Sequence, residues 1–154
     1  MKNIESLSID LKEFSDKVIN KLIDAQRRTA EQIQKDTYDG APVDTGKYRE
    51  SIKVSETKYD GNNIKTSIYT DAVVTTSNGT SYNLGRLLEE GTMPHIIQPV
   101  NAPYLVFKGR DGKWVRTKWV SHPGMLSQPH FIPALNKNVA LYKSNIDKAI
   151  KEAQ

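Results

Sequence analysis

Three histidines, His95, His122 and His130, each stand directly beside a proline. Imidazole nitrogens bind zinc and related ions, and three of them make a site when a fold brings them together. None of these is spaced i, i+4 from another, as a metalloprotease helix requires. The simpler reading makes them polar members of ordered loops, with ring nitrogens paired to backbone. Asp44, Asp71, Glu89 and Glu90 offer a second chemistry, since carboxylates converging on a divalent ion are the core of metal-dependent hydrolases and nucleases. Glu89 and Glu90 are adjacent, however, and helix neighbours point in different directions. No spacing demands that the four converge, and neither a phosphate-binding loop nor GxGxxG is present. The chain has no cysteine, which excludes a thiolate nucleophile, a disulfide framework and a cysteine-based zinc site. The expectation is a protein that is not an enzyme and that carries no metal or cofactor.

The richest chemical segment is "KGRDGKWVRTK", where Lys108, Arg110, Lys113, Arg116 and Lys118 face a single acidic residue, Asp111. That segment carries +4, as much net charge as the whole chain. Cationic side chains neutralise phosphates and indoles stack on bases, so DNA is one fitting partner. An acidic protein rim is another, and plain solvation of the charge is a third. Strand alternation puts Trp114, Arg116 and Lys118 on one face and Val115, Thr117 and Trp119 on the other. One tryptophan is therefore expected to pack inward.

The elements that must hold these groups follow from periodicity. Leu7, Leu11, Phe14, Val18, Leu22, Ala25 and Ile33 recur at spacings that mark the apolar stripe of a helix, from about residue 7 to 37. Such a helix spans about 45 Å, which exceeds the width of a compact domain of this length. It either breaks or reaches across to a neighbour. Gly40 and Pro42 close it. "SIKVSETKYDGNNIKTSIYT" reads as a hairpin, "AVVTT" as a third strand, and "YNLGRLLEEG" as a short helix over 83–90 ending before Gly91. "TMPHIIQPVNAP" and "SHPGMLSQPHFIPA" read as irregular proline-rich loops. Between them "YLVFKGRDGKWVRTKWV" makes a second hairpin. Leu135, Val139, Tyr142, Ile146 and Ile150 form the apolar stripe of a last helix over 133–152, with Pro133 in its first turn. The expected fold is α+β: a long N-terminal helix over 1–39 and a C-terminal helix packed on a mainly antiparallel sheet within 50–120, with long proline-rich loops, in a single domain over 1–154.

The chain of 154 residues is long enough for a core of its own, yet its hydrophobic fraction is only 37%. Either part of the chain is extended, or burial is completed by neighbouring subunits. No apolar run reaches membrane-spanning length, and no partner membrane is expected. The first residues mix acidic side chains into an apolar pattern, unlike a signal peptide, so synthesis in the cytoplasm is expected.

Three segments then fall in a fixed order: "APVDTGKYRESI" after the long helix, "LLEEGT" beside the first proline-rich loop, and "QPHFIPAL" leading into the last helix. Together they resemble the HK97 gp10-like family of tailed-phage proteins, known as head–tail joining, neck or tail-completion proteins. The residues carrying the resemblance are Pro42, Val43, Asp44, Thr45, Gly46 and Ser51, then Glu89, Glu90, Gly91 and Thr92, then Pro129, Phe131, Pro133 and Ala134. Two positions depart from the family pattern: Tyr48 replaces a common leucine, and His130 separates Pro129 from Phe131. The resemblance implies a non-catalytic virion protein of a long-tailed phage. It would form a ring, expected to be hexameric, around the channel for double-stranded DNA. Its neighbours would be head-completion or portal-side neck proteins and the tail terminator or tail tube protein. A tail terminator capping the tube, and a basic nucleic-acid-binding module, are the alternatives. The residues themselves predict that Asp44 or Thr45 caps a short helical turn and that Gly46 and Gly91 adopt φ > 0.

Overall fold

A computed structural model describes residues 4–76, 79–109 and 111–153, with side chains described from Glu13 onward. Two compact units emerge, Met1–Thr70 together with His130–Gln154, and Asp71–Pro129.

The first unit is built on helix α1, Ile4–Gly40. Its 37 residues span about 55 Å. Gly40 stays outside the left-handed region; Pro42, which cannot continue a helix, follows it. Ala25, Thr29, Ile33, Thr37 and Ala41 recur every fourth residue and are all buried. The buried hydroxyls of Thr29 and Thr37 donate to the carbonyls of Ala25 (2.9 Å) and Ile33 (2.7 Å), so this seam hides no unsatisfied group there.

Against this seam lie α4 (Phe131–Lys137) and α5 (Val139–Ala153), where one helix was expected. Lys21 pairs with Glu152 at 3.3 Å, Asn145 donates to Thr29 at 2.9 Å, and Asn138 donates to Asp36 at 2.6 Å. Partners rise on one side as they fall on the other, so α1 runs antiparallel to α4 and α5. Since α5 ends opposite Lys21, α1 continues amino-terminal of that point without it. Glu13, Phe14, Ser15, Asp16 and Lys17 there are exposed.

The expected apolar face of the last helix is not the buried one. Leu135, Val139, Tyr142 and Ile150 remain 40–44% exposed, while Ala134, Asn138, Ala149 and Ala153 are buried. Small side chains let the helices approach closely, which leaves the larger ones on the flank. Asp36 clasps the pair: its carboxylate accepts from Asn138, Lys137 (3.0 Å) and Gln32 (3.2 Å). The Asn138 amide, and next the Lys137 ammonium, hold this carboxyl below the usual aspartate range.

Strand β1 (Ile52–Val54) pairs antiparallel with β4 (Ile68–Thr70), and β2 (Lys58–Tyr59) with β3 (Ile64–Lys65), which realises the expected first hairpin. Gln34 of α1 donates to the Ile52 carbonyl at 3.0 Å and ties β1 to the helix.

The second unit holds β5 (Val73–Thr75) paired with β6 (Ser81–Asn83), then α3 (Leu84–Glu90), β7 (His95–Ile97), and the ribbon of β8 (Leu105–Lys108) with β9 (Trp114–Thr117). Asn83 caps α3 by accepting from the Arg86 N–H at 3.0 Å. β7 pairs with β10 (Val120–His122). Parts of the two segments expected as irregular loops thus bond to each other. The fold is α+β and the strand pairing antiparallel, as expected. Instead of one sheet, the described strands form five separate two-stranded ribbons. Strands of two to four residues have little edge on which to add a third.

Candidate functional site

The first motif makes a joint between α1 and β1. Gly46 adopts φ 83° and begins the single turn α2, Lys47–Glu50. Its N-cap position is Gly46, which has no side chain to offer, and not Asp44 or Thr45 as expected. Both are exposed, as is Val43, and Pro42 is half-buried. The turn is held from its other end. The Ser51 hydroxyl donates to the Tyr48 carbonyl and meets the Thr70 hydroxyl, both at 2.6 Å. Arg49 reaches back to the end of α1, donating to the Ala41 carbonyl at 2.6 Å, with its guanidinium over the Tyr38 ring at 5.3 Å. Its Nε is buried without a partner among the described residues. No local spacing in the sequence points Arg49 back to the end of α1.

The two departures from the family pattern meet. Tyr48 Oη lies 2.7 Å from His130 Nε2, and the rings stand edge to face with centroids 5.5 Å apart. His130 is buried, and its Cβ lies 3.5 Å from where a side chain on Gly40 would begin. The first and third motifs are thereby locked together, with Ala134 buried one turn beyond and Phe131 half-buried. Pro129 and Pro133 are exposed.

The second motif ends α3. Gly91 has φ 75°, and a Cβ there would lie 2.6 Å from the Met125 carbonyl oxygen. Thr92 and Met125 exchange backbone bonds of 2.9 and 3.1 Å, and Gln128 N–H donates to the Leu88 carbonyl at 2.7 Å. "EEGT" is therefore a latch onto the segment 125–128. Glu90 pairs with Arg86 at 3.0 Å, and Glu89 is half-buried.

On the β8–β9 ribbon, Lys108 stands over the Trp114 ring at 5.6 Å and Arg116 over the Tyr104 ring at 4.0 Å. Lys113 lies 4.0 Å from Asp111 and Lys118 is exposed. Arg110 lies outside the described residues. Trp114 is 71% exposed and Trp119 57%, so the expectation that one packs inward fails. Among the described residues β8 and β9 pair only with each other, so no further strand extends the ribbon over either tryptophan.

His95 and His122 face each other across β7 and β10, ring centroids 5.0 Å apart. Nδ1 of His95 lies 2.9 Å from the Met93 carbonyl oxygen, and Nδ1 of His122 accepts from Gly124 N–H at 3.1 Å. Both follow the backbone-paired expectation. His130 pairs through Nε2 with a side chain, that of Tyr48. Among the described residues no group of three metal-ligating side chains converges.

A long amphipathic helix, a joint turned at Gly46 and short two-stranded ribbons carry the motif residues. A family model described as "Bacteriophage HK97-gp10, putative tail-component" matches residues 5–91. The chain belongs to this family, and its role is a structural, tail-related one in a bacteriophage particle. Comparison with curated proteins and with solved structures returned no match. The matched stretch takes in the joint and α3 through Gly91; the third motif lies beyond it. No described helix is long and apolar enough to cross a membrane.

Proposed function

We propose that this protein is a neck or tail-completion component of a long-tailed phage, joining the DNA-filled head to the tail as a ring around the DNA channel. The carrying observation is the surface of the second unit. Leu88 is its one buried residue among those described, while Met93, Ile96, Val100, Val106, Trp114 and Leu126 stand exposed, Met93 at 82% and Leu126 at 88%. Apolar surface on this scale marks a protein completed by neighbours. Its partners on this reading are further copies, six in all, portal-side or head-completion neck proteins, and the tail terminator or tail tube. The role is non-catalytic and the location is the virion, after synthesis in the host cytoplasm. The residues of the basic ribbon, Lys108, Lys113, Trp114, Arg116 and Lys118, are the contact surface offered to an acidic protein rim. A conduit that gripped phosphates would slow DNA transit.

Electron cryo-imaging of intact particles tests this. A ring at the head–tail junction, and filled heads with separate tails when the gene is disrupted, are expected. A position at the tail tip, or absence from particles, would overturn it. A location only on the tube end would favour the tail terminator.

Cations stacked over the exposed Trp114 ring and the half-buried Tyr104 ring favour a second reading, a nucleic-acid-binding module. It predicts that the purified protein shifts duplex DNA at physiological salt, with a steep salt slope and no ring.

A further inference from the structure

Three residues of the first motif, Val43, Asp44 and Thr45, have no evident task inside the chain. All three are exposed, Val43 at 59%. Among the described residues the Asp44 carboxylate makes no hydrogen bond or ion pair. Asp39 and Glu50, at the two ends of the same joint, are exposed as well. Arg49 does not answer them, because its guanidinium is turned onto the Asp39 and Ala41 carbonyls. The joint thus shows solvent the carboxylates of Asp39, Asp44 and Glu50 against the one exposed ammonium of Lys47.

The β8–β9 ribbon carries the complementary chemistry. Its register sets Val106 opposite Arg116 and Lys108 opposite Trp114. Residues two apart on a strand share a face. One face therefore holds Val106, Lys108, Trp114 and Arg116, with Val106 62% and Trp114 71% exposed. Arg116 lies 4.0 Å over the Tyr104 ring. A guanidinium stacked in this way keeps its edge N–H groups free, in the fork that fits a carboxylate. Among the described residues neither Arg116 nor Lys108 has an acidic partner. The phosphates of a duplex would answer these cations but leave Val106 and Trp114 uncovered. An occupant that meets the whole face brings a carboxylate and an apolar side chain together. Val43 and Asp44 are that combination.

We propose that the Val43–Thr45 tip of one copy docks on the β8–β9 face of the next, with the Asp44 carboxylate in the Arg116 fork and Val43 against Trp114. An ion pair covered by Trp114 and Val106 is screened less than one on an open surface, so it contributes more. Tip and face are different surfaces, so the contact is head-to-tail, the kind that generates rings when its rotation closes. This rests on the ring reading above and identifies the acidic rim with the joint of a neighbouring copy.

Exchanging the charges tests it. Asp44→Arg and Arg116→Asp are prepared as separate full-length proteins. Sedimentation follows the assembly of each, of their equimolar mixture and of the native chain. Either variant alone sets like charges together at every contact and should assemble about tenfold or more weakly than the native chain. In the mixture opposite charges meet wherever the two variants alternate, so assembly should return, in even-membered rings. Both side chains are exposed, so the separate variants should melt with the native monomer. If the native chain assembles and each variant alone assembles equally well, this contact is wrong and the ring reading stands. If both variants fail alone and mixing restores nothing, tip and face do not meet each other, and the inference is overturned. It is overturned too if Arg116→Asp assembles normally but loses a shift of duplex DNA that the native chain gives, since the face then serves DNA. A native chain that stays monomeric at every concentration removes the ring reading and this contact with it.

Discussion

At the scale of single residues, the two motif glycines separate by their surroundings. Gly46 and Gly91 both have positive φ, but nothing lies within 4 Å of a Cβ added at Gly46. Gly46→Ala therefore meets backbone strain alone, and an unfolding titration should show a loss of about 1 kcal/mol. At Gly91 the same change also drives into the Met125 carbonyl oxygen and the Ser127 amide at 2.6 and 2.8 Å. A loss of about 2–4 kcal/mol is expected there. Equal losses at the two sites would refute the latch. The Tyr48–His130 pair makes a second prediction. In a double-mutant cycle with Tyr48→Phe and His130→Phe, the coupling energy should be about 1 kcal/mol. Additivity within error would mean that the 2.7 Å contact contributes nothing net. Sequence alone showed Tyr48 and His130 as two unrelated departures from a pattern. Their contact bridges 82 positions, which no local spacing rule reaches.

At the scale of elements, the Asp36 clasp gives α1 and α4 a pH-dependent bond. The Asn138 amide and the Lys137 ammonium lower the Asp36 pKa on folding. A depressed folded pKa contributes stability that is present above the ordinary value of 3.8 and is lost as pH falls through the folded one. Melting temperatures of the native chain and Asp36→Asn should differ at neutral pH, with the native chain higher, and converge as pH falls below 3.8. A gap that persists in acid would put the clasp's contribution elsewhere. Helix α1 was legible because a long amphipathic stripe has a strong period and Pro42 ends it. The short helix α3, its glycine and both hairpins were legible too. The packed face of α5 was not. Hydropathy ranks Leu135 and Val139 above Ala149 and Ala153, whereas a close helix seam selects for small size. The pairing of β7 with β10 was also hidden, since two proline-rich segments carry turn signals and no alternation.

At the scale of the whole molecule, the distribution of burial is uneven. The first unit has a continuous buried seam along α1, and the second buries Leu88 alone among its described residues. Two-stranded ribbons without a packed face are marginal in water. In the free protein, amides of β5 to β10 should exchange with deuterium roughly a hundredfold faster than those of α1 between Ala25 and Thr37. That gap should narrow in the assembled particle. Uniform protection in the free chain would mean that the exposed apolar surface costs nothing, and would weaken the case for neighbours. The family was legible from short motifs, and the structure places their residues in a joint, a latch and a part-buried ring pair.

The uninterrupted run of α1 past the end of α5 has a geometric consequence. The stretch of α1 from Ile4 to Lys21 is turned in phase with the rest of α1 as far as Gly40, because one rigid screw carries both. Inserting one residue near Asn20 would rotate the projecting end by about 100°, while inserting four would return it to within about 40° of its starting azimuth and lengthen it by about 6 Å. The pitch of the helix thus sets the azimuth at which Phe14 is presented.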